Sequence, residues 1–195
     1  MYILGVDEAG RGPLAGPVAV GVIKVKEEFD LLEAFPGLND SKKLSEKRRE
    51  ALFTKLQEEI TAGNVRALVC LSSETIIDEK GIAFAVRSAL ARGVRKLMPD
   101  VQEGKLFLDG SLKAPSEYAQ ETIIGGDATV PAIMLASIAA KVTRDRLMKK
   151  LAREYPQYGF EIHKGYGTAA HRERIREQGL CAIHRRTFIH IDLPH

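Results

Sequence analysis

Short apolar runs alternate along this chain with longer stretches in which apolar residues return every three or four positions. Tyr2–Asp7 is the first run and Val18–Val25, rich in β-branched residues, the second; both have the make-up of buried strands. Between them, Gly10-Arg11-Gly12-Pro13 and Gly16-Pro17 predict a tight, extended loop, because proline excludes helix and glycine opens unusual backbone angles. The two strands are therefore expected to pair as an antiparallel hairpin. Leu52, Leu56 and Ile60, with Phe53 beside them, predict a helix that starts near Ser45 after an irregular stretch. Val65–Leu71 reads as a third strand, and Ile82, Val86, Leu90, Val94 and Leu97 form the apolar stripe of a helix over Gly81–Leu97. Lys105–Asp109 and Glu121–Ile124 are two more short runs, closed by Asp-Gly and by Gly125-Gly126-Asp127. Pro131 suits a first helical turn, so Ala132–Glu154 is the longest predicted helix, and its small residues over Ala136–Ala140 suit close packing on a sheet. Pro156 ends it, His163–Thr168 reads as a loop, and Thr168 caps a polar helix that runs to about Gln178 with Gly179 as its stop.

Strands interleaved with helices indicate an α/β fold with a mixed sheet and a basic, helical C-terminal extension. The expected division is a main unit over residues 1–150 and an extension over 151–195 packed on it. At 195 residues the chain can bury a core without disulfide or structural metal. Its two cysteines, Cys70 and Cys181, lack any CxxC or Cys/His spacing, which excludes a zinc ribbon and suits a reducing cytoplasm. No apolar run approaches the roughly 18–20 residues of a membrane span, and Asp7 and Glu8 interrupt any signal-like N-terminus. Net charge is only +3, yet residues 141–195 carry 12 Lys+Arg against 6 Asp+Glu while the remainder is slightly acidic. A basic C-terminal quarter on a neutral body fits a polyanion ligand, and it also occurs in proteins that bind none.

Acids stand where strands end: Asp7 and Glu8 after the first, Asp109 after the fourth and Asp127 after the fifth. Strand ends open onto clefts, so these carboxylates can converge. Neighbours on a regular strand face opposite ways, so Asp7 and Glu8 share a site only if the strand ends or bends at the following glycines, which is the expectation here. Clustered carboxylates repel, and hard oxygen donors without His or Cys suit Mg2+ or Mn2+. Gly10, Arg11 and Gly12 offer backbone amides and a guanidinium to phosphate. Lys42 and Lys43 stand at a loop-to-helix junction, and Tyr166 between two glycines has a face free for stacking. Each feature also has a plain reading as a turn residue, a solvated helix start or a packing aromatic. The basic half of the long helix equally reads as a solvated face, and no histidine reads as catalytic. A non-catalytic nucleic-acid-binding module and a phosphoesterase of small substrates therefore both remain open at this level.

Taken together, the motifs resemble one family. Gly5-Val6-Asp7-Glu8-Ala9-Gly10-Arg11-Gly12-Pro13-Leu14-Ala15-Gly16-Pro17-Val18 resembles the N-terminal signature of bacterial ribonuclease HII. Leu38–Leu44, Ala140–Arg146, His163–Thr168 and Cys181–Phe188 resemble its later motifs in the same order, so the likeness spans about residues 3–190. The resemblance implies an RNase H-like fold, a central mixed five-stranded sheet flanked by helices with a C-terminal helical extension. It implies an endonuclease that hydrolyses RNA in RNA–DNA hybrids and cuts on the 5′ side of ribonucleotides embedded in duplex DNA, leaving a 3′-hydroxyl and a 5′-phosphate. By resemblance Asp7, Glu8, Asp109 and Asp127 are catalytic ligands of two Mg2+ or Mn2+ ions about 3.5–4 Å apart. Gly10, Arg11, Gly12 and Tyr166 read the 2′-hydroxyl, Lys42 and Lys43 meet the substrate, and basic C-terminal helices add phosphate contacts. No further domain precedes Asp7, which disfavours the related ribonuclease HIII. A cytoplasmic monomer with no membrane association is expected, and no protein partner is implied. One stretch departs from the family pattern: Ala128–Met134 is less rich in serine and alanine than expected, which bears on where Asp127 lies.

Overall fold

A computed structural model describes residues 1–190. The elements run β1 (Tyr2–Ala9), β2 (Val18–Lys26), α1 (Leu31–Ala34), α2 (Glu46–Thr61), β3 (Val65–Ser72), α3 (Glu74–Lys80), α4 (Ile82–Leu97), β4 (Gly104–Asp109), β5 (Gln120–Ile123), α5 (Gly126–Thr129), α6 (Pro131–Glu154), α7 (Phe160–His163) and α8 (Ala169–Gln178), followed by a 3-10 turn at Arg186–Phe188. The five strands form one mixed sheet in the order β3-β2-β1-β4-β5. β1 pairs antiparallel with β2 and β2 with β3, whereas β1–β4 and β4–β5 are parallel. This is the expected α/β fold with a central five-stranded sheet and flanking helices.

Each face of the sheet has its own core. Leu4, Val6, Val20 and Val22 pack with Val86, Leu90 and Val94 of α4 on one side. Ile23, Leu52 and Leu56 pack with Leu135, Ala136 and Ile138 of α6 on the other. Helix α6 lies unusually close to the sheet because Gly5 and Gly21 present no side chain to it. A Cβ on Gly5 would overlap the Ala132 backbone, and one on Gly21 the Ala136 carbonyl. A third cluster joins Leu14, Ala15 and Met148 to Tyr158, Phe160, Ile175 and Ile183, so the C-terminal segment packs on the loop between β1 and β2. Residues 191–195 of the expected extension lie outside the described residues.

Capping explains several boundaries. Ser45 accepts from the Arg48 amide at the start of α2, and Thr168 accepts from the His171 amide at the start of α8. Four short helices depart from the expectation. α1 and α3 occupy stretches that periodicity left without structure. α5 turns the Gly125-Gly126-Asp127 strand closure into a helical turn, and α7 claims His163 from the predicted loop. Three of them have only four residues, too few for an apolar period to register.

Candidate active site

Strand alternation sorts the acids. Leu4 and Val6 belong to the α4-side core, while Gly5 faces α6. Asp7 is therefore on the α6 face and Glu8 on the α4 face. The expected bend that would bring Glu8 round does not occur, because the β1–β2 register runs unbroken through Asp7↔Gly21 and Glu8↔Val20 to Ala9↔Ala19. In β4, Leu106 and Leu108 share the α4-side core, which leaves Asp109 on the α6 face. The last parallel pair is Val6↔Leu108, so Asp7 and Asp109 stand side by side one step further along. Asp127 arrives from the first turn of α5, and its amide donates to Asp109 Oδ1 at 3.2 Å. One carboxylate oxygen from each of Asp7, Asp109 and Asp127 lies within 4.8 Å of the other two. Glu8 is a neighbour of this trio rather than a member; Arg11 Nη1 donates to its Oε1 at 3.3 Å.

The trio carries unbalanced charge. Asp7 is 4% exposed, and burial, reinforced by the Glu8 and Asp109 carboxylates, pushes it up to about 8 despite the Ser137 hydroxyl and the Glu8 amide at 2.7 Å. Burial also raises Glu8, with Asp109 adding to the shift and Arg11 opposing it. Lys42 Nζ lies 2.7 Å from Asp127 Oδ2 while most of its side chain remains in solvent, and that bond raises the lysine. Three converging oxygens, one of them on a carboxyl whose pKa burial and its acidic neighbours raise, and no nitrogen or sulfur donor among them, fit a hard divalent cation.

The remaining predicted residues surround this point unequally. Gly10, Arg11 and Gly12 follow directly on β1, with Arg11 and Gly12 exposed. Lys42 reaches the trio, whereas Lys43 is exposed at the neighbouring position. Tyr166 is 40% exposed, with Lys141 Nζ 5.5 Å and the Arg144 guanidinium 5.8 Å from its ring centroid. The basic C-terminal quarter is not a free face. Arg144 and Arg185 are wholly buried. Arg146 pairs with Glu50, Lys149 with Glu46 and Lys141 with Asp145. Arg144 donates to three backbone carbonyls.

Sequence reasoning passed over Ser137, whose hydroxyl opposes the rise in the Asp7 pKa and shares a 2.8 Å hydrogen bond with Ser41; its only signal was a polar residue among alanines on a sheet-packing helix. Arg49 was also missed. It anchors the Lys42 loop by donating to the Ser41 and Leu44 carbonyls. His171 and His184 are buried, with their Nε2 atoms 3.1 Å apart beside Phe160.

Comparison with known proteins gives the same picture along the whole chain. The family model described as Ribonuclease HII matches residues 4–191. Ribonuclease HII of Endomicrobium trichonymphae is 47% identical over 187 residues, which cover 95% of this chain and 84% of that protein. Among solved structures, RNase HII of Archaeoglobus fulgidus, in its complex with PCNA, superposes with a TM-score of 0.77 at 25% identity over 95% of this chain and 93% of that one. Ribonuclease H2 of Pyrococcus horikoshii OT3 superposes with a TM-score of 0.74 at 29% identity over 96% and 93%.

Proposed function

Because the chain belongs to the ribonuclease HII family, metal-dependent endonucleases that act on RNA–DNA hybrids, we propose that it also cuts on the 5′ side of a ribonucleotide embedded in duplex DNA. Products are a 3′-hydroxyl and a 5′-phosphate. The observation that carries this reading is the meeting of Asp7, Asp109 and Asp127 on one sheet face, close in sequence to the Gly10–Gly12 loop with its exposed Arg11 and Gly12.

Asp7, Asp109 and Asp127 hold Mg2+ or Mn2+, and Glu8, which leaves the strand on its other face yet lies close enough for its charge to couple to Asp109, completes the set. When bound, a pair of such cations supplies an activated water and stabilises the leaving 3′-oxygen. Ser137 keeps the Asp7 carboxyl turned toward the trio, and the Asp127 amide does the same for Asp109. Lys42, tied to Asp127 and otherwise in solvent, is placed to meet a substrate phosphate, and Lys43 beside it meets the next. Amides of the Gly10–Gly12 loop and the Arg11 side chain address the ribose, and Tyr166 packs against the sugar, so the 2′-hydroxyl distinguishes ribonucleotide from deoxyribonucleotide. The protein acts as a monomer in the cytoplasm, a compartment that suits its two free cysteines. No described helix is long and apolar enough to cross a membrane.

The test is incubation with duplex DNA containing one ribonucleotide, in Mg2+, Mn2+ or EDTA, followed by mapping of the cut. A single incision 5′ of the ribonucleotide in either metal and none in EDTA is expected. Incision in EDTA, or cutting indifferent to the ribonucleotide, overturns the proposal. Tyr166→Ala should reduce junction cutting more than duplex binding; equal losses would make it a packing residue.

A further inference from the structure

Beneath the loop that joins β1 to β2 lie two arginines that form no ion pair with a carboxylate among the described residues. Arg144 of α6 and Arg185 of the C-terminal segment are both 0% exposed. Arg185 donates from Nε to the Gly16 carbonyl at 2.8 Å, from Nη1 to that of Arg11 at 2.9 Å and from Nη2 to that of Gly10 at 2.7 Å. Arg144 donates to the carbonyls of Pro17 at 2.8 Å, Ala15 at 3.0 Å and Lys164 at 2.9 Å. Two buried cations thus spend their planar donor forks on six backbone oxygens, at a desolvation cost that lowers both guanidinium pKa values; Arg185, with Arg144 also nearby, falls to about 9.

The consequence for the loop follows from the planarity of the peptide bond. No peptide here is cis, so in each unit the carbonyl and the next residue's N–H point opposite ways. With the Gly10 and Arg11 carbonyls turned inward onto Arg185, the N–H groups of Arg11 and Gly12 are turned outward. Neither finds an acceptor among the described residues. Gly10 must be glycine for this to work, since its φ is +91° and a Cβ there would overlap the Arg144 side chain. Arg144 also ties the loop to Lys164, two residues before Tyr166, and Leu14 N donates to the Gly165 carbonyl at 2.8 Å.

We infer that Arg144 and Arg185 are positioning residues for ribonucleotide recognition: by gripping the carbonyl side of the Gly10–Pro17 loop and the start of the Tyr166 loop, they fix the Arg11 and Gly12 amides toward the ribose without touching the substrate. The inference rests on the proposed role of that loop in reading the ribose. Lysine keeps the charge but not the fork, so Arg185→Lys frees the two peptides to rotate and to turn a carbonyl toward an anionic ligand.

The experiment compares affinities for a DNA duplex with one ribonucleotide and for the same all-deoxy duplex, in an Asp7→Asn background that prevents cutting. The unmodified loop should favour the ribonucleotide duplex, and Arg185→Lys should bring the ratio close to one while melting temperature and Mn2+ binding of the Asp7-intact protein stay near parental values. Junction kcat/KM in that Asp7-intact variant should fall by about 10²-fold, and added methylguanidinium should restore part of it in Arg185→Gly. If Arg185→Lys does not melt cooperatively, Arg144→Lys carries the same comparison. A parent ratio near one overturns the reading of the loop and the inference with it. A discriminating parent whose arginine variants discriminate equally well, or lose both affinities in proportion, overturns the inference alone.

Discussion

Burial and charge oppose each other most strongly at Asp7. Its carboxyl is raised from an ordinary 3.8 to about 8, with burial the first cause. A folded-state pKa above the unfolded one means that the native state holds the proton more tightly. Its contribution to stability is therefore complete below about 4 and is lost as pH rises to about 8. Asp7→Asn removes this cost, so in EDTA the variant should be more stable than the parent above pH 8, by about 0.5–2 kcal/mol, and the two should converge below pH 4; urea denaturation at the two pH values checks this. The same variant should lose about 10³-fold or more in cleavage, a loss of several kcal/mol of transition-state stabilisation. A parental rate in Mg2+ would exclude Asp7 from metal binding. Part of this was readable beforehand: an acid at the end of an apolar strand stands out in a sequence. Its partner Ser137, ordinary in its own sequence neighbourhood, did not.

Two elements set the geometry that these residues use. Helix α6 reaches Asp7 through Ser137 only because it lies against Gly5 and Gly21. Gly21→Val should cost about 1–3 kcal/mol through overpacking and weaken Mn2+ binding as α6 is pushed off the sheet. Chemical denaturation and titration with Mn2+ measure both effects, and parental values for both would show that the close approach is dispensable. The C-terminal segment is held by a second device, the pairing of His171 at α8 with His184. Burial pulls each down from 6.5 to about 4. A depressed folded pKa gives stability that is fully present above 6.5 and is lost as pH falls toward 4. The stability of the parent should therefore drop between pH 6.5 and 4, and a His184→Gln variant should show a shallower drop. Helices α2, α4, α6 and α8 were legible from apolar spacing and from Ser45, Pro131 and Thr168 at their starts. The four short helices were not, because a helix of four to seven residues is set by its contacts rather than by any period of its own.

At the scale of the molecule, charge is distributed differently from its order along the chain. Part of the basic C-terminal quarter is drawn into the fold, with Arg144 and Arg185 buried, and Arg146 and Lys149 are tied to acids of α2 at the surface. Exposed cations also stand beside the loop after β1, where Arg11, Arg87 and Lys113 border a cavity of about 190 Å³. Nucleic-acid affinity should depend on this side: replacing Arg87 and Lys113 together by Gln should lower the slope of log K against log salt by about 1–2, and an unchanged slope would place the backbone elsewhere. Strand identities, the long helices with their caps, the strand-end acids and the motifs of the family were all fixed by local order along the chain, because each depends on residues a few positions apart. Which acids meet was settled by the fold alone. Alternation and register put Asp7 beside Asp109 and left Glu8 next to the trio rather than in it, and packing turned Arg144 from an expected solvated charge, together with Arg185, into the buried supports of a loop more than 120 residues away from either. Burial and register belong to pairs of distant segments, and no stretch of sequence carries that information on its own.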